Sequence, residues 1–186
     1  MKKTLLSMAF AFAALATGGL NAAEVTDVLT VESLKLTATS YAKADFSDIQ
    51  LNSSAVYAGN ALKGNNPAGT IQLNKKDANG TGIVTTASGG TVTKIVVGWH
   101  DETDGSRNIK IYGSNTPYSS GKDLYNSATQ GTLIGSLQKG ETELVVEGDF
   151  QYFGIYPSGA LYLNEIQVTW ETGGEVLERV EAPTFS

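Results

Sequence analysis

The chain of 186 residues is long enough for one domain with a proper core and short extras. Its 21 glycines, four prolines and absent cysteine, with short runs rich in Thr and Val, indicate an all-β domain with tight turns. A formal net charge of −6 (13 Lys+Arg against 19 Asp+Glu), without a basic stripe interleaved with aromatics, excludes nucleic acid as a partner.

Residues 1–23 read as an export signal. Lys2-Lys3 is the positive n-region, Leu5 through Leu20 the apolar and small-residue h-region, and Ala22-Ala23 the cleavage site. The Gly18-Gly19 break makes the apolar stretch too short to span a bilayer comfortably, so no membrane span is expected once the signal is removed. No cysteine stands near the junction to carry a lipid. Removing Lys2 and Lys3 leaves 11 of the 13 basic residues against 19 acidic ones, a net charge of −8. A cysteine-free exported chain draws its stability from its core. The expected location is secreted or cell-surface.

Residues 24–172 are expected to form the domain, and residues 173–186 a linker or tail. Residues 24–40 (EVTDVLTVESLKLTATS) supply a first strand region with a helical turn near residues 31–36. Residues 41–51 carry Phe46 and Ile49 among polar neighbours and are expected as a long loop wrapping the end of a sandwich. Residues 53–61 (SSAVYAGNA) place Tyr57 in an Ala/Gly-rich stretch, and TIQL at 70–73 is a strand. Asn79-Gly80 is the strongest short hairpin signal in the chain. GIVTT at 82–86 then leads to the Gly89-Gly90 turn.

TVTKIVVGW at 91–99 is β-branched and apolar and lies between turn formers, which marks a strand. Val92 and Val96 face one way, and Ile95, Val97 and Trp99 the other. Both faces are largely apolar, as in a central strand rather than an edge. An acidic loop at 100–106 follows, and RNIKIY at 107–112 alternates cleanly and is expected to pair with 91–99. GTLIGSL (131–137), ETELVVE (141–147), FQYFGIY (150–156) and ALYLNEIQVTW (160–170) complete about eight strands. In the last, Leu161 and Leu163 are out of phase with Ile166, Val168 and Trp170. Either a bulge at Asn164-Glu165 corrects the phase, or the strand is buried on both faces. The expected architecture is a two-sheet antiparallel β-sandwich of jelly-roll type.

The run from Gly82 to Trp170 (GIVTTASGGTVTKIVVGW, RNIKIYGSNTPYS, DLY, QGTLIGS and ALYLNEIQVTW) resembles a domain common in exported proteins of gut Bacteroidetes. Its layout is similar to galactose-binding-like (discoidin-type) jelly rolls, where an IKIYGS-like strand precedes a loop and the last strand carries an E-I pair. SSAVYAGNA and TIQL resemble the same domain more loosely. The closing VEAPTFS, after Gly173-Gly174, looks like the opening strand of a module named after the C-terminal domain of chitobiase or β-hexosaminidase. A plain tail fits that composition too. The resemblance implies a noncatalytic module and a possible structural calcium held through Glu165, the Glu of the E-I pair.

Catalytic motifs are missing. His100 is the only histidine, no G-x-S-x-G or H-E-x-x-H pattern occurs, and nothing local brings two carboxylates to glycosidase spacing. The loops at 75–81 and 100–108 do not fit the calcium-loop spacing of helix–loop–helix proteins. Trp99, Tyr112, Phe150, Phe153 and Trp170 are expected in the core, with Tyr57, Tyr118, Tyr125 and Tyr156 in loops or at strand ends. The expected function is a noncatalytic carbohydrate-binding or adhesion module with a glycan ligand. The alternative is a structural or docking module with a surface protein as partner. The candidate contact patch draws on three connections and comprises Tyr57, His100, Asp104, Arg107 and Tyr118.

Overall fold

The computed structural model describes residues 22–75 and 79–173. All but the last two residues of the expected export signal, and the tail from residue 174, lie outside the described residues. The strands, in chain order, open with β1 (Ala23–Leu29), β2 (Asp45–Gln50), β3 (Val56–Asn60), β4 (Leu62–Asn65) and β5 (Ala68–Leu73). Next come β6 (Gly82–Ala87), β7 (Thr91–Trp99), β8 (Asn108–Ser114) and β9 (Thr132–Gln138). The last three are β10 (Glu143–Val145), β11 (Tyr152–Pro157) and β12 (Leu161–Thr172). They build two antiparallel six-stranded sheets packed face to face, a β-sandwich. The first sheet runs β10-β7-β12-β5-β4, with β1 also on β12, and the second runs β2-β3-β6-β11-β8-β9.

The core lies between the sheets. Ile95, Val97, Leu163, Ile166, Val168 and Trp170 of the first sheet meet Ile83, Ile109, Ile111, Phe153 and Ile155 of the second, all fully buried. Phe153 bridges two aromatics, its ring centroid 6.1 Å from that of Tyr57 and 6.0 Å from that of Trp170. Among the described residues one carboxylate joins this core, that of Asp27 on β1.

The phase problem of β12 is solved by a bulge. The register against β7 slips between Leu163 and Glu165, leaving Asn164 unpaired, and its Nδ2 donates to the Trp99 carbonyl over 3.1 Å. Leu161, Leu163, Ile166, Val168 and Trp170 thereby all face the core. A second slip between Thr169 and Trp170 pairs Trp170 with Val92, skipping Thr93. Val92 therefore joins Ile95, Val97 and Trp99 on the buried face instead of sharing the outer face with Val96. β7 is an interior strand between β10 and β12, but its outer face is only half-buried.

Three local expectations fail for one reason, which is that the chain changes sheet more often than its turns reveal. Residues 41–51 are not a loop, since β2 pairs with β3 at the edge of the second sheet. Gly80 does adopt the left-handed conformation (φ 61°) that made Asn79-Gly80 a hairpin signal. Yet β5 and β6 lie in different sheets, so no hairpin forms there. β8 does not pair with β7, because residues 100–107 carry the chain across to the second sheet. Ile109 and Ile111 then pack onto β7 from the opposite layer instead of hydrogen bonding to it.

Candidate functional site

The five residues expected to form one contact patch are dispersed. Tyr57 is on β3, wholly buried, and its hydroxyl donates to Asp27 Oδ2 at 2.5 Å. Its ring cannot stack on an external ligand. Tyr118 is also buried, with its hydroxyl donating to the Gln130 carbonyl at 2.8 Å and its N–H to the Thr85 carbonyl. Burial pushes the phenols of Tyr57 and Tyr118 above their ordinary range, and the adjacent Asp27 carboxylate adds to the effect at Tyr57.

His100, Asp104 and Arg107 share the loop between β7 and β8, where their polar groups mostly hold the loop itself. His100 Nδ1 accepts from the Glu102 N–H at 3.2 Å. Asp104 Oδ1 accepts from both the N–H and the hydroxyl of Ser106, and these bonds hold its pKa below the usual carboxylate value. The Arg107 guanidinium packs on the backbone of Gly159, where a Cβ would lie 2.9 Å from Nη1. The three form a local turn, and neither tyrosine joins them.

Glu165 sits at the β12 bulge beside Gly98, and its Oε1 accepts from Gln167 Nε2 at 2.7 Å. Calcium requires six to eight oxygens converging on one point. Among the described residues no group of three acidic, His or Cys side chains could hold a metal. Glu165, the residue through which the resemblance implied a calcium site, belongs to no such group.

A different arrangement stands out on the outer face of the second sheet. The strict alternation of β8 and β11 sends Ile109, Ile111, Phe153 and Ile155 inward. The same period puts Lys110, Tyr112 and Tyr156 outward, with Lys110 directly opposite Tyr156 in the ladder. Tyr125 comes from the long connection between β8 and β9, which folds back over this face as a 3-10 turn at Gly121–Tyr125. The three rings converge: the Tyr125 and Tyr156 centroids are 4.8 Å apart, and Tyr112 meets Tyr156 edge-on at 6.5 Å. Lys75 Nζ lies 5.9 Å from the Tyr156 centroid. With Gln130 and Leu124 these side chains line an open groove of about 330 Å³.

The groove has a rigid floor. Leu124 is buried beneath the turn in a small second core with Ala58, Val84, Tyr112 and Tyr118. Glycine at 154 makes room for it, since a Cβ there would stand 2.4 Å from Leu124 Cδ2. Asp123 anchors the start of the turn by accepting the N–H groups of Ser119 and Ser120 and the Ser119 hydroxyl on Oδ2. The Tyr125 hydroxyl donates to the Thr81 carbonyl at 2.9 Å, which fixes that ring. A second cleft, of about 220 Å³ between Phe46, Ser47, Ser120 and Lys122, has one aromatic side chain and no ring cluster.

The chemistry open to the groove is recognition. The half-buried Tyr125 and Tyr156, backed by the buried Tyr112, set ring surface beside hydroxyl, amide and ammonium donors, the pairing that suits a sugar's C–H face and its hydroxyls. Tyr112 is buried as expected, but in the small second core on the outer face of the sheet, since the alternation in RNIKIY sets Lys110 and Tyr112 opposite Ile109 and Ile111. No protein-family model, curated protein or solved structure matches this chain.

Proposed function

We propose that this chain is a noncatalytic carbohydrate-binding module of an exported protein, with the Tyr112–Tyr125–Tyr156 groove as its contact surface. The observation that carries the reading is the convergence of three rings with Lys75, Lys110 and Gln130 on a preformed floor. Rigid aromatics order few side chains on binding, so contact with a sugar costs little entropy. One shallow groove buries few ligand atoms, and the affinity for a short oligosaccharide is about millimolar to high micromolar. Binding without turnover agrees with the single histidine, which is engaged in its own turn. The apolar and basic start of the sequence supports export and a secreted or surface location.

Isothermal titration of the domain against neutral and charged oligosaccharides tests this. Tyr156→Ala and Tyr125→Ala are expected to abolish measurable binding, while Tyr118→Phe and Arg107→Ala leave it unchanged. Absence of binding by the wild type across the panel would sink the proposal. One observation favours the docking alternative. Leu133 and Val145 are 52% and 63% exposed on the edge strands β9 and β10, beside an open depression of about 280 Å³. Such an edge suits a protein partner.

A further inference from the structure

We infer that the groove selects anionic glycans, those carrying uronic carboxylates or sulfate esters. The inference rests on the glycan-binding reading above and names the ligand class for the same site.

The charge of the groove runs against that of the chain. The sequence has 13 basic and 19 acidic residues, yet among the described residues two lysines and no carboxylate line this groove. Both cations line the groove that holds the Tyr156 ring. Lys110 faces Tyr156 across the β8–β11 ladder, and Lys75 Nζ is 5.9 Å from the Tyr156 centroid. Both side chains are exposed, and Lys75 holds its ammonium over the Tyr156 ring. A pyranose in the groove brings its ring substituents within reach of the two lysines that line it. A neutral hydroxyl there gains one hydrogen bond in competition with water, whereas a carboxylate or sulfate gains a charge-assisted one. The two like charges lining one groove of an acidic protein also raise the local concentration of an anionic chain. The remaining wall groups, the tyrosine hydroxyls and the Gln130 amide, carry no negative charge to repel it.

The test titrates the full chain with oligogalacturonate, a sulfated galacto-oligosaccharide, their uncharged counterparts, and polyglutamate as an anion without sugar. At 50 mM salt, one or both anionic sugars are expected to bind about tenfold tighter than the neutral forms. At 500 mM salt the gap is expected to narrow to about two- to threefold, as screening requires. The double variant Lys75→Gln, Lys110→Gln is expected to erase the preference yet keep the weak neutral binding, while Tyr156→Ala loses both. Tighter binding of the uronate arm alone or of the sulfate arm alone supports the inference and identifies the anion. Equal affinity for charged and neutral sugars overturns the selectivity and leaves the glycan reading standing. Binding to no sugar overturns both. Polyglutamate binding as tightly as the anionic sugars, or unchanged selectivity in the lysine variant, overturns the inference as well.

Discussion

The Tyr57 hydroxyl donates to Asp27 Oδ2 across 2.5 Å, tying β3 of one sheet to β1 of the other through the middle of the core. The same oxygen accepts from Ser53 Oγ at 2.5 Å and from Trp170 Nε1 at 3.1 Å. Oδ1 takes the N–H groups of Asn52 and Ser53 at 2.7 and 2.8 Å. Trp170 Nε1 also reaches the Tyr57 oxygen at 3.2 Å. A fully buried carboxylate with five donors is a satisfied charge, which holds the two layers in register where cysteine could not.

Asp27→Ala is therefore expected to destabilise the domain by about 3–5 kcal/mol, because it strands a set of buried donors. At this size that corresponds to a fall in Tm of about 10 °C or more. Tyr57→Phe removes one partner and is expected to cost about 1–3 kcal/mol. Urea denaturation of both variants and of the double variant measures the coupling. Strictly additive losses would contradict a shared network.

Deleting Asn164 removes the bulge and returns β12 to a strict period of two. Leu161 and Leu163 then cannot share the core face with Ile166, Val168 and Trp170. Loss of the cooperative urea transition is expected, whereas Asn164→Ala should keep it with a cost of about 1 kcal/mol. A deletion variant as stable as the parent would refute the assignment.

Alkaline pH should weaken the fold. Burial raises the Tyr57 phenol above its ordinary value, with Asp27 adding to the shift, and burial likewise raises Tyr41 and Tyr118. Below pH about 10 the phenols are protonated in both states and their contribution is fully present. Above it the unfolded chain releases protons that the native state retains, so stability falls as pH rises. Tyr57 alone contributes a slope of about −1.4 kcal/mol per pH unit. Urea midpoints between pH 9 and 12 measure the slope, and Tyr57→Phe should flatten it.

Gly121 sits in the 3-10 turn, and a Cβ there would lie 2.4 Å from the Gly80 carbonyl oxygen. Gly121→Ala must push the turn off the sheet, moving Leu124 and Tyr125 with it. A loss of about 1–3 kcal/mol is expected, together with weaker sugar binding. Gly105→Ala, where a Cβ meets nothing within 4 Å, serves as the control.

Chelator is expected to leave the thermal melt unchanged, and Glu165→Gln to behave like the parent in the presence or absence of calcium. A Tm that rises with added calcium would show ligands beyond those gathered at Glu165, since a ligand bound only by the native state stabilises by mass action.

Much of the sandwich was legible along the chain. Alternation in RNIKIY and FGIY assigns faces residue by residue, and the phase break in ALYLNEIQVTW leaves a bulge as one of two solutions. These are local properties, set by the two-residue period of a strand and written in neighbouring side chains. Local signals do not say which sheet a strand joins. Asn79-Gly80 has the turn chemistry of a hairpin, and its flanking strands nevertheless part to opposite layers. Nor could spacing tell which tyrosines are buried. Tyr57 is drawn inside by a carboxylate thirty positions away, and Tyr118 is buried where its own loop folds back onto the sheet. Tyr125 meets Tyr156 only because that same loop crosses the sheet. The sequence by itself determined the class, the faces of β8 and β11 and the phase break of β12. The tertiary structure decided the bulge, the sheet membership, the buried Asp27 cluster and the groove, because each depends on contacts between residues far apart in the chain.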